Sequence, residues 1–302
     1  MGDKVLAVSI VYLTCHFAFN VILSAFAGAT EGVIFKHRIG QISANHTIQV
    51  TPSGPTFMIW NFIYLWLLAA YLYLTANIFR STGEASGKRY CSPPIFGRWV
   101  TWVLILNAFF YTAWLFIWDN QWMTAAASFL TLIAISNWVA LIIFSVSLWN
   151  NVVILKTEAP IDLILHRVLI QNGFGMYTTW TTIASLINIA VALVYDGKLE
   201  DPVPSLIALA FLSVLIALWV PLEFFFWDNY FRYLLTPLFV VLWALSGIHV
   251  EQTRNVELIS ESVRDYTLIL MIITGILIIG KIILTIYRHV KRPLYIGLST
   301  VA

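Results

Sequence analysis

Residues 51–66 read TPSGPTFMIWNFIYLW, so two prolines and a glycine stand directly before a long run of aromatic and aliphatic residues. Proline fits the first turn of a helix, because its missing N–H lies where a helix offers no acceptor for that group. Crossing hydrocarbon takes about 20 mostly apolar residues in helical form. The stretch therefore predicts a membrane helix over residues 55–79 that begins at Pro55.

The rest of the chain has the same character. Its 302 residues are 60% hydrophobic and only 11% charged. Within hydrocarbon, every backbone N–H and C=O must be satisfied inside the protein, and this favours helices. We expect an all-α polytopic membrane protein with eight transmembrane helices. The predicted spans are residues 4–27, 55–79, 98–117, 122–148, 164–194, 204–226, 230–248 and 266–287.

The distribution of positive charge predicts the orientation. The chain has 17 lysines and arginines, and most fall on the side of the N-terminus. The exceptions are Lys36, Arg38, Lys198, Arg254 and Arg264. Cytosolic loops carry an excess of these residues. The bias predicts that both termini are cytosolic and that residues 28–53 form a long outer loop.

Asn45-His46-Thr47 in that loop is a sequon for N-glycosylation. The predicted orientation places Asn45 on the outer side, where glycosylation takes place. We therefore expect a glycoprotein of the secretory route. The sequon favours the plasma membrane or an endomembrane over the mitochondrial outer membrane.

Polar and aromatic side chains recur at helical spacing in four of the spans. Positions separated by 3, 4, 7 or 11 residues share one face of a helix. In the predicted orientation, the four faces converge in the outer half of the membrane. They consist of Tyr12, His16 and Asn20; Phe57, Trp60, Asn61 and Tyr64; Asn107, Tyr111, Trp114 and Trp118; and Tyr177, Trp180, Thr181, Ala184 and Asn188.

These faces have two compatible interpretations. Buried amides hold membrane helices together through hydrogen bonds, each of which stabilises the packing by roughly 1 kcal/mol or less. Alternatively, the rings wall an elongated pocket while the amides and hydroxyls orient a ligand, which is the usual composition of a small-molecule site. A pocket also needs its helices held together, so both roles can coexist.

Three of the spans carry further motifs: Pro52, Gly54, Phe57, Trp60 and Tyr64; LILN at residues 104–107 with Trp114 downstream; and Tyr177, Trp180, Ala184 and Asn188. These motifs resemble those of the translocator protein family, also called the tryptophan-rich sensory protein family. The resemblance covers about residues 4–195 and implies a five-helix bundle. Residues 196–302 follow as a three-helix extension with a short basic cytosolic tail, and the break DGKLEDPVP separates the two parts.

The resemblance also implies a function, because relatives bind porphyrins, cholesterol and other bulky apolar molecules. We expect a receptor, sensor or carrier for a hydrophobic, planar or polycyclic ligand of tetrapyrrole or sterol type. Its partners would be membrane lipid and this small molecule, and a homodimer is compatible with the pattern. The predicted ligand-binding residues are Asn20, Trp60, Asn61, Tyr64, Asn107, Trp114, Tyr177, Trp180 and Asn188.

Two other classes of protein remain open. In a structural or interaction subunit, the polar faces would be packing seams and the last three helices would meet a partner. In a proton-coupled transporter, His16 or Glu223 would relay protons. Glu223 is the one carboxylate that the predicted spans enclose, and an intramembrane acid suggests function. Arg232 and Asp228 are its candidate neighbours, and hydration at the interface is the simpler explanation.

Several classes are disfavoured by missing motifs. We find no phosphate-binding glycine loop, nucleophile elbow or HExxH sequence, so an enzyme is not expected. Cys15 and Cys91 fall in different environments, and His16 has no second ligand at metal spacing, so no metal site is predicted. The basic segments are short and suit an anionic membrane surface better than nucleic acid.

Overall fold

The computed structural model describes residues 2–29, 31–82 and 87–294, and within these ranges the chain is helical with no β-strand. The long helices are α1 (Lys4–Ala29), α3 (Ile59–Phe79), α4 (Arg98–Asp119), α5 (Met123–Asn150), α8 (Asn172–Tyr195), α9 (Val203–Pro221), α11 (Thr236–Arg254) and α12 (Glu261–Lys291). The short helices are α2 (Ile39–Asn45), α6 (Val152–Glu158), α7 (Pro160–Leu165) and α10 (Asp228–Phe231).

Four shorter turns complete the helices. The 3-10 turn Gly54–Met58 leads into α3, and a second one, Val256–Leu258, follows α11. Two π-helical turns, His166–Gln171 and Leu222–Phe226, join α7 to α8 and extend α9. Prolines stand in the first turn of several elements because that position needs no N–H: Pro55, Pro160, Pro204 and Pro237.

Seven helices in the described ranges are long and apolar enough to cross a membrane: Lys4–Ala29, Gly54–Phe79, Arg98–Asp119, Met123–Asn150, Pro160–Tyr195, Val203–Phe226 and Glu261–Lys291. They agree with seven of the predicted spans to within several residues. The remaining prediction, residues 230–248, corresponds to α11, which begins only at Thr236 and is not among the seven. The chain is an integral, multi-pass membrane protein.

Through their contacts, the long helices form two closed rings of helices, and both rings include α8. In the first ring, α3 packs on α1, α1 on α4, α4 on α5, α5 on α8, and α8 returns to α3. In the second ring, α8 packs on α9, α9 on α12, α12 on α11, and α11 returns to α8. The C-terminal helices are therefore built directly onto the fifth helix of the bundle.

Two glycines let α8 take this shared position. A Cβ atom on Gly173 would lie 2.9 Å from the Trp66 ring of α3, and one on Gly175 would lie 2.5 Å from Leu234, just before α11. Both distances are shorter than real side chains allow. Glycine at these positions therefore permits close packing of α8 against both rings.

Candidate ligand-binding site

Six aromatic side chains from three helices of the first ring lie together. We call them the aromatic cluster: Trp60 and Tyr64 of α3, Tyr111 and Trp114 of α4, and Tyr177 and Trp180 of α8. Trp60 lies at the centre. Its ring centroid is 5.5 Å from that of Tyr64, 5.9 Å from that of Tyr111 and 6.3 Å from that of Trp180.

Helical spacing explains how each pair reaches the cluster. The two rings contributed by each helix are three or four residues apart and therefore share a face. Trp118, one turn beyond Trp114, stacks on it at 5.8 Å and continues the row toward the end of α4. Phe57 meets Trp180 edge-on at 6.1 Å. The structure thus brings together the aromatic members of three predicted faces.

A chain of hydrogen bonds connects the cluster to α1. The hydroxyl of Tyr64 is hydrogen-bonded to that of Tyr111, which lies 2.8 Å from the hydroxyl of Ser24. Ser24 also donates to the carbonyl of Asn20, at 2.8 Å. Because Asn20 is buried, this chain carries polar contacts into the helix interface without exposing them to hydrocarbon.

Asn20 and His16 belong to the same network through Thr112. The amide of Asn20 donates to the carbonyl of Ala108 at 3.0 Å and accepts from Thr112 at 2.6 Å. His16 Nε2 lies 3.2 Å from the Thr112 hydroxyl. The Thr112 hydroxyl also has acceptors in Asn20 Oδ1 and the Ala108 carbonyl, so its oxygen is available to an N–H at His16 Nε2. Both residues therefore tie α1 to α4, and Ser24 links Asn20 to Tyr111 of the aromatic cluster.

Asn107, together with Tyr177 of the aromatic cluster, joins three helices through hydrogen bonds. The Asn107 amide donates to the Ile133 carbonyl at 2.9 Å and to Ser136 at 2.8 Å, and it accepts from the Tyr177 hydroxyl at 3.3 Å. Asn137 of α5 donates to Thr181 of α8 at 3.2 Å. These contacts bind α4, α5 and α8 together, so the polar atoms of Asn107 are engaged in packing.

Other polar atoms in the same region have no such partner. Among the described residues, Trp114 Nε1, Trp180 Nε1 and Asn188 Oδ1 are buried without a hydrogen-bond partner. Trp180 is only 2% exposed and Trp114 only 6%. A buried donor without an acceptor costs roughly 1–3 kcal/mol. The cluster therefore offers two indole N–H donors and, further along α8, one amide acceptor.

The structure separates Asn61 from the cluster. Its side chain is exposed on α3, whereas Ile63 and Leu67, which flank the Trp60–Tyr64 face, are fully buried. Asn61 follows Trp60 by one residue and is therefore turned by about 100° around the helix axis. The structure therefore does not bring Asn61 together with the aromatic cluster. Asn188 is half-buried, and its Nδ2 donates to Ala184 of its own helix at 3.0 Å.

Part of the loop between α1 and α3 covers this end of the bundle. Phe35 is buried, and its ring lies 5.1 Å from that of Phe116 near the end of α4. The carboxylate of Asp119 accepts from the backbone N–H groups of Lys36 at 3.1 Å and His37 at 2.9 Å. Sequence reasoning missed Asp119, although a carboxylate at a helix end opposite a long loop is a usable signal.

The same loop is also tied to the C-terminal helices through Gln49. Its backbone N–H donates to Asp201 at 2.6 Å, its carbonyl accepts from Gln252 at 3.0 Å, and its side-chain oxygen accepts from the N–H of Ser260 at 2.9 Å. One loop residue therefore contacts three segments of the second ring. Asn45, the sequon residue, is exposed at the end of α2.

The turn before α3 is attached to α11. The backbone N–H of Ser53 donates to the carbonyl of Gly247 at 3.0 Å, and Trp243 Nε1 donates to the carbonyl of Thr56 at 2.9 Å. The TPSGP sequence therefore does more than begin a helix. We call residues 31–53 the covering loop, and this turn attaches it to α11 of the second ring of helices.

Glu223 lies apart from this site, in the π-helical turn after α9. It is only 1% exposed, and Lys281 of α12 lies 2.8 Å from its Oε1. The expected neighbour Arg232 instead pairs with Asp228. The expectation of a hydrated interfacial acid is wrong, because α12 packs over the turn and supplies a buried ammonium group. Lys281 is 58 residues away in sequence, so no local pattern could identify it.

Asp228, just beyond the end of the span Val203–Phe226, pairs with two arginines. It accepts hydrogen bonds from Arg232 Nε at 3.0 Å and from Arg288 at 2.7 Å. Burial raises the pKa of the Asp228 carboxyl, but the hydrogen bonds from Arg232 and Arg288 outweigh that effect and leave its pKa below the ordinary value of 3.8. The group is therefore an anion that ties α10 to the end of α12.

Comparison with known protein families gives one match. The model of a family described as TSPO-like protein matches residues 8–283. The match runs through α9, α11 and most of α12. The family likeness therefore extends well beyond residue 195, where we expected it to end. No curated protein and no solved structure matches the chain.

Proposed function

The chain belongs to the family of TSPO-like proteins, and from that premise we propose that it binds a hydrophobic, planar or polycyclic ligand at the aromatic cluster. The proposed ligand is of tetrapyrrole or sterol type. Binding there would make the protein a receptor, sensor or carrier within the membrane.

The observation that carries this proposal is the pair of partnerless indole donors. Trp114 Nε1 and Trp180 Nε1 are buried within a wall of aromatic rings and have no hydrogen-bond partner among the described residues. Buried polar groups are nearly always hydrogen-bonded, so such exceptions call for an explanation. A ligand with an apolar, flat body and one or more acceptor oxygens would stack on the rings and satisfy these donors.

Binding of protoporphyrin IX and of cholesterol to the purified protein in nanodiscs tests this proposal. Trp114→Phe and Trp180→Phe keep an aromatic ring but remove the N–H. Loss of one net hydrogen bond, about 0.5–1.5 kcal/mol, should weaken binding roughly 2- to 10-fold. Trp99→Phe is the matched control, because Trp99 is 78% exposed at the start of α4. Equal affinity in all three variants would refute a ligand at these donors.

We also propose that α11 crosses the membrane, which gives eight spans with both termini in the cytosol. Its packing between α8 and α12 supports this, as does the bias of lysine and arginine toward one side. Asn45 would then be exposed on the outer side and glycosylated, in the plasma membrane or an endomembrane. Enzymatic deglycosylation should increase gel mobility of the wild type but not of Asn45→Gln. An unshifted wild type would contradict the orientation or the secretory route.

A structural subunit is the second candidate, and the contacts of Asn20 and Asn107 favour it. Both amides bind neighbouring helices, and Asn107 is fully engaged by Ile133, Ser136 and Tyr177. In that case Trp180→Phe would change stability without changing ligand binding. Proton-coupled transport has less support, because the Glu223 carboxylate is paired with Lys281. Uptake that depends on protons and is lost in Glu223→Gln would restore that alternative.

A further inference from the structure

An apolar groove runs along the outside of the protein where the two rings meet. Its volume is about 180 Å³. Ile59, Met176 and Val240 lie along it, contributed by α3, α8 and α11. Phe62, Phe239 and Trp243 also line it and are substantially exposed. The groove is therefore a cleft over α8, with α3 on one side and α11 on the other.

The 3-10 turn Gly54–Met58 joins α3 to α11 at one end of the cleft. Thr56 in that turn accepts from Trp243 and lies against Gly247. From Trp243 the groove continues along α11 as far as Thr236. Seven residues of helix correspond to about 10 Å. The groove is thus an elongated slot that runs from Trp243, beside the turn, to the N-terminal end of α11.

The walls of the groove offer no free hydrogen-bonding group. Trp243 Nε1 donates to the carbonyl of Thr56 at 2.9 Å, and Thr236 donates to the carbonyl of Asn172 at 2.8 Å. The other lining side chains are aliphatic, aromatic or methionine. A polar occupant would leave its own groups unsatisfied, at a cost of several kcal/mol in hydrocarbon. The walls therefore select a hydrocarbon chain.

The lipid around the protein supplies hydrocarbon chains of this kind. The three helices that form the slot belong to an integral membrane protein, and the exposed rims Phe62 and Phe239 continue the apolar surface of the spans. An apolar cavity of roughly 150 Å³ is large enough to bind benzene. We propose that the groove binds a segment of one acyl chain of a membrane phospholipid, which fills the junction between the two rings.

This site is distinct from the aromatic cluster, although the two share helices. Ile59 and Met176 face the groove, whereas their neighbours Trp60 and Tyr177 belong to the cluster. The acyl chain would lie behind the wall of the cluster and support it from the membrane side. Its binding does not depend on whether the cluster holds a ligand.

Photolabelling in nanodiscs tests the proposal. The probe is phosphatidylcholine with a diazirine in its acyl chain, and cross-linked residues are identified by peptide mass spectrometry. A bound chain should label Met176, Phe239 and Val240 several-fold more than Ile272 and Ile276, which are exposed on α12 away from the groove. This comparison uses the wild-type protein alone, so it does not depend on a variant that folds.

A variant that fills the slot gives an independent check. Val240→Phe should reduce labelling of Met176 and Phe239 several-fold and leave labelling of α12 unchanged. Ile276→Phe is the matched control and should change neither. Equal labelling of the groove and of the α12 face in the wild type would overturn the proposal, as would undiminished groove labelling in a folded Val240→Phe protein.

Discussion

The carboxylate of Asp119 at the end of α4 accepts a 2.9 Å hydrogen bond from the backbone N–H of His37 in the covering loop. The same carboxylate accepts from the N–H of Lys36, and the residue is only 6% exposed. Hydrogen bonds to a charged group contribute about 1.5–3 kcal/mol. Asp119 therefore holds the loop over the end of the bundle that contains the aromatic cluster.

Asp119→Asn should release this part of the loop. An amide has one acceptor oxygen, so at least one of the two N–H groups loses its partner and faces an N–H₂ donor instead. Hydrogen exchange at Lys36 and His37 should become faster, and on- and off-rates of a ligand in the cluster should rise together. Asp265→Asn is the control, because Asp265 is exposed. Unchanged exchange at both amides would show that other contacts hold the loop.

Gly247→Ala tests the attachment of the turn before α3. A Cβ atom at this position would lie 2.0 Å from Thr56 Oγ1 and 2.5 Å from its Cγ2. Overpacking of this kind costs about 1–3 kcal/mol. We expect a lower midpoint of thermal unfolding and faster exchange at Ser53, whose N–H donates to the Gly247 carbonyl.

The matched control for that substitution is Gly275→Ala on α12, where no atom lies within 4 Å of the added Cβ. Alanine is favoured over glycine in a helix by about 1 kcal/mol, so this variant should be as stable as the wild type or more stable. Equal effects at the two glycines would contradict the close contact with Thr56.

The sequence predicts the helices well because their signals are local. Pro55 lies in the 3-10 turn that opens the span Gly54–Phe79, and the α-helix proper begins at Ile59. The spacing of Trp60 and Tyr64 places both side chains on one face. Asn61 lies on another face of α3, because consecutive residues of a helix are turned by about 100° from one another. The ion pair of Glu223 with Lys281 and the loop contact to Asp119 join segments 58 and 82 or more residues apart. Such contacts depend on how the helices assemble, which periodicity does not specify.

Lys281→Met should destabilise the protein strongly. It leaves the Glu223 carboxylate, which is 1% exposed, without a counter-ion. Removal of one partner of a buried pair costs about 3–5 kcal/mol, whereas replacement of both is often nearly neutral. The double variant Glu223→Gln, Lys281→Met should therefore recover most of the thermal stability lost in Lys281→Met. A double variant no more stable than the single one would show that Lys281 acts chiefly through its contact with the Phe231 carbonyl.

Acidification should weaken the contact of α10 with α12 through Asp228. Hydrogen bonds from Arg232 and Arg288 hold its pKa below the ordinary value of 3.8, against the opposing effect of burial. A carboxyl whose pKa is lowered in the folded state contributes stability above its unfolded pKa and loses it as the pH falls through the folded pKa. The contribution of Asp228 should therefore be constant near neutral pH, begin to fall below about pH 4 and vanish only below the lowered pKa of the folded state.

Thermal unfolding of the wild type and of Asp228→Asn between neutral and acidic pH measures this contribution. The variant should be less stable at neutral pH, because Arg232 and Arg288 lose their anionic partner, and the difference should shrink as the pH falls below 3.8. Carboxyls remote from Asp228 titrate alike in both proteins, so they cancel in the difference. Asp265→Asn should follow the wild type throughout, since Asp265 is exposed. A stability difference that stays constant down to the acid limit would mean that Asp228 acts through packing and not through its charge.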